Sequence, residues 1–274
     1  MADRPVFIGG LMKSGTSLLR VLLGQHPNLY ATFESHWFDP AIRDEWENPD
    51  SRRMTFLRRF LEIADTCYAG LVETKRQTPD REFIDIVYAA MVQCAGKARW
   101  IDKTPDNVLH RDEIAAIWPD ATLIHVTREP RDCFASWKDK RGDTLDIFLA
   151  AAGRVWDGTA DVLGCAPQPG YLEVDYNALV SQPAEVMAPL LDALGEPWDH
   201  RVATLDTDAM VGERETVKAV TGRDSHTNRS LVRPIFTDSV GQWRRILTED
   251  EAKTIRTELS SFYDRLGDRW EASC

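Results

Sequence analysis

The hydrophobic pattern of the chain alternates between short unbroken apolar runs and longer stretches of helical period. Val6-Phe-Ile, closed by Gly9-Gly10, has the β-branched and aromatic character of a strand buried on both faces. From Thr16 onward, Leu18, Leu19, Leu22 and Leu23 share one helical face, and His26-Pro27 ends it. Amphipathic helices are expected over Ser51 to Ala64 and Arg81 to Gly96, with a short strand at Trp100-Ile101 followed by a Thr104-Pro105-Asp106 turn. Arg111 to Trp118 reads as helix, Pro119-Asp120 as turn, and Thr122 to Thr127 as the clearest strand in the chain. Glu129-Pro130-Arg131-Asp132 opens another helix with proline near its first position. Tyr171 to Val174 is a further strand, and Gly195 stops a helix that ends at Leu194. Thr248 and Glu251 have capping-box spacing, opening a helix that Gly267 is expected to close.

Short buried strands separated by helices imply an α/β fold, a mostly parallel sheet with helices on both faces. No internal repeat, low-complexity tract or linker interrupts the pattern, so residues 1–274 are expected to form one domain. The weaker patterns from Thr32 to Asp80 and from Asp199 to Ser239 are expected at the rim of the functional site.

Composition narrows the partners. With 33 basic and 44 acidic residues the net charge is −11, which argues against broad binding to nucleic acid or to an anionic membrane. An anionic ligand in a small, locally basic pocket is still allowed. The five cysteines show no metal-ligand spacing and read as free thiols of a reducing compartment. The first strand begins too early for a signal sequence, and no apolar run is long enough to span a bilayer; a cytoplasmic location is expected.

Candidate chemistry begins between the first strand and the first helix, in Gly10-Leu-Met-Lys13-Ser14-Gly15-Thr16-Ser17. A glycine-bearing turn into a helix N-terminus presents converging N–H groups and partial positive charge, the setting an anionic phosphate group requires. Lys13 adds a formal charge, and Thr16 and Ser17 add hydroxyl donors. A nucleoside-triphosphate loop would place lysine after the second glycine, followed by a Mg²⁺-binding hydroxyl. Here that position is Thr16 and the lysine precedes Gly15, so phosphate binding without a metal ion is expected. A second anion site is expected where the clearest strand ends at Arg128 and the following helix carries Ser136, since ligands of open parallel sheets sit beyond the strands' carboxyl ends.

Lys13 to Ser17 and the Arg128…Ser136 segment together resemble the two phosphate-binding motifs of sulfotransferases that use 3′-phosphoadenosine 5′-phosphosulfate (PAPS). The resemblance implies a three-layer P-loop-like fold and PAPS as donor. Lys13, Ser14, Gly15, Thr16 and Ser17 would hold the 5′-phosphosulfate, while Arg128 and Ser136 would hold the 3′-phosphate. Lys140 stands where some members place another basic contact, a role open equally to Arg141. Motif spacing is closest to the protein-tyrosine and carbohydrate branch and suggests a soluble member of bacterial type. In that branch the catalytic glutamate follows the loop lysine at the distance separating Lys13 from Glu34, which assigns Glu34 as general base. Burial against Phe33, Trp37 or Phe38 would be needed to raise its pKa from about 4.3. His36 is the rival base.

Lys103 resembles a lysine that contacts the transferred group, although Asp102 and Thr104 depart from the family pattern on either side of it. Tyr176 matches a tyrosine near the nucleotide, but a core role is equally compatible with its sequence. Ser225 to Asn228 and Ser239 to Arg245 resemble loops that close over the nucleotide, with Gln242 replacing a basic residue. Trp37, Phe38 and Trp46 line an acceptor pocket or simply belong to the core.

The expected reaction moves a sulfuryl group from PAPS to an acceptor hydroxyl, with Lys13, Glu34 and Lys103 in the chemistry, adenosine 3′,5′-bisphosphate (PAP) as product and no metal. Small-molecule, glycan and peptide acceptors all stay open, as does oligomeric state, with a homodimer among the options. The rival readings are a Mg²⁺-dependent nucleoside or sugar kinase and a non-catalytic nucleotide-binding module.

Overall fold

A computed structural model describes residues 4–32, 34–38, 81–141, 144–165, 168–221 and 230–271. Five parallel strands form one sheet: β1 (Val6–Gly9), β2 (Leu29–Ala31), β3 (Arg99–Lys103), β4 (Thr122–Thr127) and β5 (Tyr171–Asp175). Their spatial order is β2-β3-β1-β4-β5. Ile8 of β1 lies opposite Lys103 of β3 on one side and Ile124 of β4 on the other. From this centre the chain runs to both edges, so the loops after β1 and β4 diverge and leave a crevice between them.

Alternation along the strands divides the core into two layers. Phe7, Trp100 and Leu123 face one apolar cluster, whereas Val6, Ile8, Ile101, Ile124 and Val126 face the other. The first cluster is covered by α2 (Arg81–Cys94), α3 (Arg111–Ile117), α4 (Pro130–Arg141), α5 (Leu145–Thr159) and the C-terminal helix Ser260–Glu271, and it is rich in stacked and edge-on aromatic rings. The second lies under α1 (Thr16–Gly24) and the helix Pro183–Leu194. Helices therefore cover both faces, and the three-layer α/β arrangement expected from sequence is present.

Most boundaries lie close to their expected places, and Gly195 does adopt the left-handed conformation (φ 73°) that terminates its helix. Three features differ from expectation. The turn after β3 is a 3₁₀ helix, Pro105–His110. The capping box of Thr248 and Glu251 forms, but its helix stops at Glu258, and Gly267 lies inside the next helix instead of closing this one. Cys94 is disulfide-bonded, which corrects the free-thiol reading for that residue; Cys133 and Cys165 are free. The expected helix from Ser51 to Ala64, Trp46, and the segment Ser225 to Asn228 lie outside the described residues. No described helix is long and apolar enough to cross a membrane.

Candidate active site at the carboxyl edge of the sheet

The loop after β1 is shaped by close backbone approach. A Cβ on Gly10, whose φ is 149°, would lie 2.4 Å from the Val126 carbonyl oxygen, so the turn runs directly over β4. Gly15 (φ 109°) is the residue before α1, and a Cβ there would lie 2.3 Å from the Tyr176 ring. Lys13 itself takes a left-handed backbone (φ 70°), a conformation that costs free energy for a residue with a side chain and clusters at ligand sites. No side chain caps α1, so its N-terminus, where the helix dipole is positive, is not occupied by a hydroxyl or carboxylate of the loop.

Arg128 rises from the end of β4 into this loop. Its Nη1 donates to the Lys13 carbonyl at 2.8 Å and its Nη2 to the Ser239 carbonyl at 2.6 Å. The guanidinium lies 4.1 Å from the Tyr176 ring centroid, and the Tyr176 hydroxyl is 2.7 Å from Ser239 Oγ. Lys13, Gly15, Arg128, Tyr176 and Ser239 thus form one cluster. The fork of Arg128 holds two backbone carbonyls here, whereas the sequence suggested phosphate oxygens. Its Nε is buried without a partner, as are Ser14 Oγ and Asn177 Oδ1. Arg128 Nε and Ser14 Oγ are donors beside an uncapped helix N-terminus, and an anionic phosphate group offers the acceptors they lack; Asn177 Oδ1, itself an acceptor, calls for a donor instead.

Ser136 is buried on α4. Lys140 belongs to the same helix, but its side chain lies outside the described residues. The Ser239–Arg245 segment is pinned to the start of α4: the Gly241 and Trp243 amides donate to the Asp132 carboxylate at 2.8 and 3.0 Å. Gln242 Nε2 donates to the Asp132 carbonyl at 3.1 Å, and Arg131 stacks 3.9 Å from the Trp243 ring. Sequence reading missed Asp132 as this anchor; an acid in the first turn of a helix was its one local signal.

A second cluster forms where β2 and β3 end. Lys103 Nζ donates to Glu34 Oε1 at 2.5 Å, and His36 Nε2 lies 3.5 Å from Glu34 Oε2. Lys103 is 5% exposed and Glu34 is 40% exposed, so the lysine is fixed within the protein while the carboxylate still meets solvent. Burial alone would raise the Glu34 pKa, but Lys103 and His36 outweigh it and hold the carboxyl well below its usual range. This corrects the expectation that Glu34 would be raised. Burial opposes the charged form of His36, yet the hydrogen bond and charge of Glu34 prevail and push it up. Lys103 and His36 are thus linked through one carboxylate.

The clusters share an edge. The Gly10 amide donates to the Pro105 carbonyl at 2.9 Å, and the Thr104 amide donates to the Ile8 carbonyl at 3.2 Å. The phosphate loop and the segment following Lys103 are therefore sewn together.

A sequence model of the sulfotransferase family matches residues 5–200, a span that contains both clusters apart from Ser239. The chain belongs to the sulfotransferase family. It is 32% identical over 136 residues to the nodulation protein NoeE of Sinorhizobium fredii, covering 50% of this chain and 31% of that protein. With protein-tyrosine sulfotransferase A of Caenorhabditis elegans it shares 20% identity over 256 residues, 89% of this chain and 62% of that one. The chain thus spans between about a third and two thirds of the length of these curated relatives. The sulfotransferase domain of the Synechococcus PCC 7002 olefin synthase superposes with a TM-score of 0.65 at 22% identity, over 93% of this chain and 95% of that domain. The sulfotransferase domain of the curacin pathway gives 0.59 at 17% identity, over 94% and 98% respectively. These two structures share the fold with this family member.

Proposed function

We propose that this chain, acting as one domain, transfers a sulfuryl group from PAPS to an acceptor hydroxyl, with Glu34 as general base. The observation that carries the reading is the meeting of Arg128 with Lys13: the two expected phosphate-binding motifs converge on one crevice. Ser14, Gly15, Thr16 and Ser17 would hold the 5′ end of the nucleotide, and Arg128, with Ser136 and Lys140 farther along α4, the 3′-phosphate. Tyr176 packs beside that fork. When bound, PAPS supplies an electrophilic sulfur and a phosphate leaving group.

The chain's own residues supply positioning and charge. Glu34 accepts the acceptor's hydroxyl proton as the new S–O bond forms, and releases it to solvent afterwards. The S–O bond to the phosphate breaks, and its electron pair stays on phosphate oxygen. Lys13 and the first-turn amides of α1 offset the charge that develops there. Lys103 holds Glu34 in a form too weakly basic to accept the proton easily. An anionic sulfuryl group close to Lys103 competes for its ammonium and returns basicity to Glu34. The acceptor class is bounded only by its hydroxyl.

Radiolabelled PAPS with a panel of phenol, sugar, lipid and tyrosyl-peptide acceptors tests the proposal. Turnover is expected with at least one class, and Glu34→Gln is expected to lower kcat by roughly 10²–10⁴-fold while leaving PAP affinity intact. Undiminished turnover in that variant overturns the base assignment.

A further inference from the structure

Asp102 is a fully buried carboxylate directly before Lys103, and it does not bond to the lysine. It accepts hydrogen bonds from the Ser35 hydroxyl, the Tyr88 hydroxyl and Asn107 Nδ2, the last at 2.8 Å. Tyr88 in turn accepts from Trp37 Nε1 at 3.0 Å. On the other side of Lys103, Thr104 Oγ1 accepts from the amides of Ser35 (3.1 Å) and His36 (3.2 Å). Three consecutive residues at the end of β3 and just beyond it therefore grip four consecutive residues of the loop, Glu34 to Trp37. Asp102 takes Ser35 and, through Tyr88, Trp37; Lys103 takes Glu34; Thr104 takes the Ser35 and His36 backbone.

We propose that Asp102, acting through Ser35, is a positioning residue that sets where the Glu34 carboxylate stands against Lys103. Three observations support it. A buried carboxylate is retained in the protein only where it is well satisfied, and Asp102 has three donors from three different elements. The loop it holds needs external support, because His36 has a left-handed backbone (φ 54°) that costs free energy in a non-glycine residue. Moreover, Asn107, its third partner, also donates to the Ile8 carbonyl at 3.2 Å, which ties the brace to β1 immediately before the phosphate loop. Asp102 is thus the hub through which the base-bearing loop is indexed to the strand that carries the donor site. The reach is indirect: Asp102 touches no reacting atom, and misplacement of a catalytic group by about 1 Å can lower the rate about 10²-fold.

This inference rests on Glu34 being the base. Ser35→Ala, Asp102→Asn, Asp102→Ala and Glu34→Gln are compared by steady-state kinetics with PAPS, by PAP titration calorimetry and by thermal melting. Ser35→Ala is expected to lower kcat about 5–20-fold and Asp102→Ala about 10²-fold, with Asp102→Asn between them because it keeps one acceptor oxygen. PAP affinity and the KM for PAPS should stay within about twofold in the Ser35 and Asp102 variants, since Asn107 keeps its own bond to the Ile8 carbonyl and Arg128 its bond to Lys13. Adding Ser35→Ala to Asp102→Ala should cost nothing more. Should Asp102→Ala fail to fold, Ser35→Ala and Thr104→Val carry the test. A kcat within twofold of the parent in Ser35→Ala and Asp102→Asn, with Glu34→Gln inactive, overturns this inference alone. Full activity in Glu34→Gln removes the base assignment on which it stands.

Discussion

Gly15→Ala tests the packing of the phosphate loop directly. The added methyl meets two separate costs. At φ 109° the backbone is in a region that L-residues avoid, worth about 1–2 kcal/mol. The new Cβ would also lie 2.3 Å from Tyr176 Cδ2, and an overlap of that depth in a packed site costs about 1–3 kcal/mol more. The sum of about 2–5 kcal/mol corresponds to a Tm lowered by roughly 5–15 °C in a chain of this size. Gly96 separates the terms, because it too has positive φ (63°) but a Cβ there meets nothing within 4 Å. Gly96→Ala should therefore show the backbone cost alone. Differential scanning fluorimetry of both variants, and of Gly15→Ala in a Tyr176→Ala background, measures each part. The second background should recover the overlap and leave the strain. PAP affinity, read by calorimetry, should fall in Gly15→Ala because the ring shift also moves Arg128. An equal Tm loss at Gly15 and Gly96, or an undiminished loss when Tyr176 is truncated, would refute the reasoning.

Arg128→Met removes the guanidinium proposed to meet the 3′-phosphate and unties the Lys13 and Ser239 carbonyls, so PAP affinity should drop roughly 10–100-fold by calorimetry, the about 1.5–3 kcal/mol of a hydrogen bond to a charged group. The Glu34 carboxyl is held low in the folded chain, so its contribution to stability is complete above the unfolded carboxylate range and is lost as pH falls through the folded pKa. The Tm difference between parent and Glu34→Gln should then be greatest near pH 6, shrink as acidification proceeds below about pH 4, and decline also as His36 loses its proton at higher pH. His36 is shifted the other way: its contribution is present below the unfolded value of about 6.5 and lost as pH rises through the raised folded pKa, so His36→Ala should cost more Tm at pH 6 than at pH 9. EDTA should leave turnover with PAPS unchanged; loss restored by Mg²⁺ would favour the kinase-like alternative.

The strand–loop–helix unit at β1 and the arginine at the end of β4 were legible because uninterrupted apolar runs mark buried parallel strands. Leu29–Ala31 was not, since a three-residue strand carries too little pattern. The helix Leu145–Thr159 buries Phe148, Ala151, Ala152 and Val155, and its small residues blur the period. Gly267 misled for a different reason: Tyr263, Leu266 and Trp270 bury a common face, and packing overrides the roughly 1 kcal/mol a helical glycine costs. At the site, residue types were readable but their partners were not. Glu34 and Lys103 are 69 positions apart, and they meet only because β2 pairs with β3. That pairing also sets the direction of the Glu34 pKa, because the aromatic neighbours near it in sequence favour the neutral acid whereas the lysine that β3 brings favours the carboxylate.

The strand order has a consequence for how such a protein can diversify. Groups that would grip the nucleotide grow from the two central strands, β1 and β4, while Glu34 and its retinue grow from the flank formed by β2 and β3. Substitutions along that flank can remodel which alcohol is admitted without loosening the centre. The two halves can drift at different speeds, joined where the Gly10 amide meets Pro105 and where Thr104 and Asn107 donate to the Ile8 carbonyl.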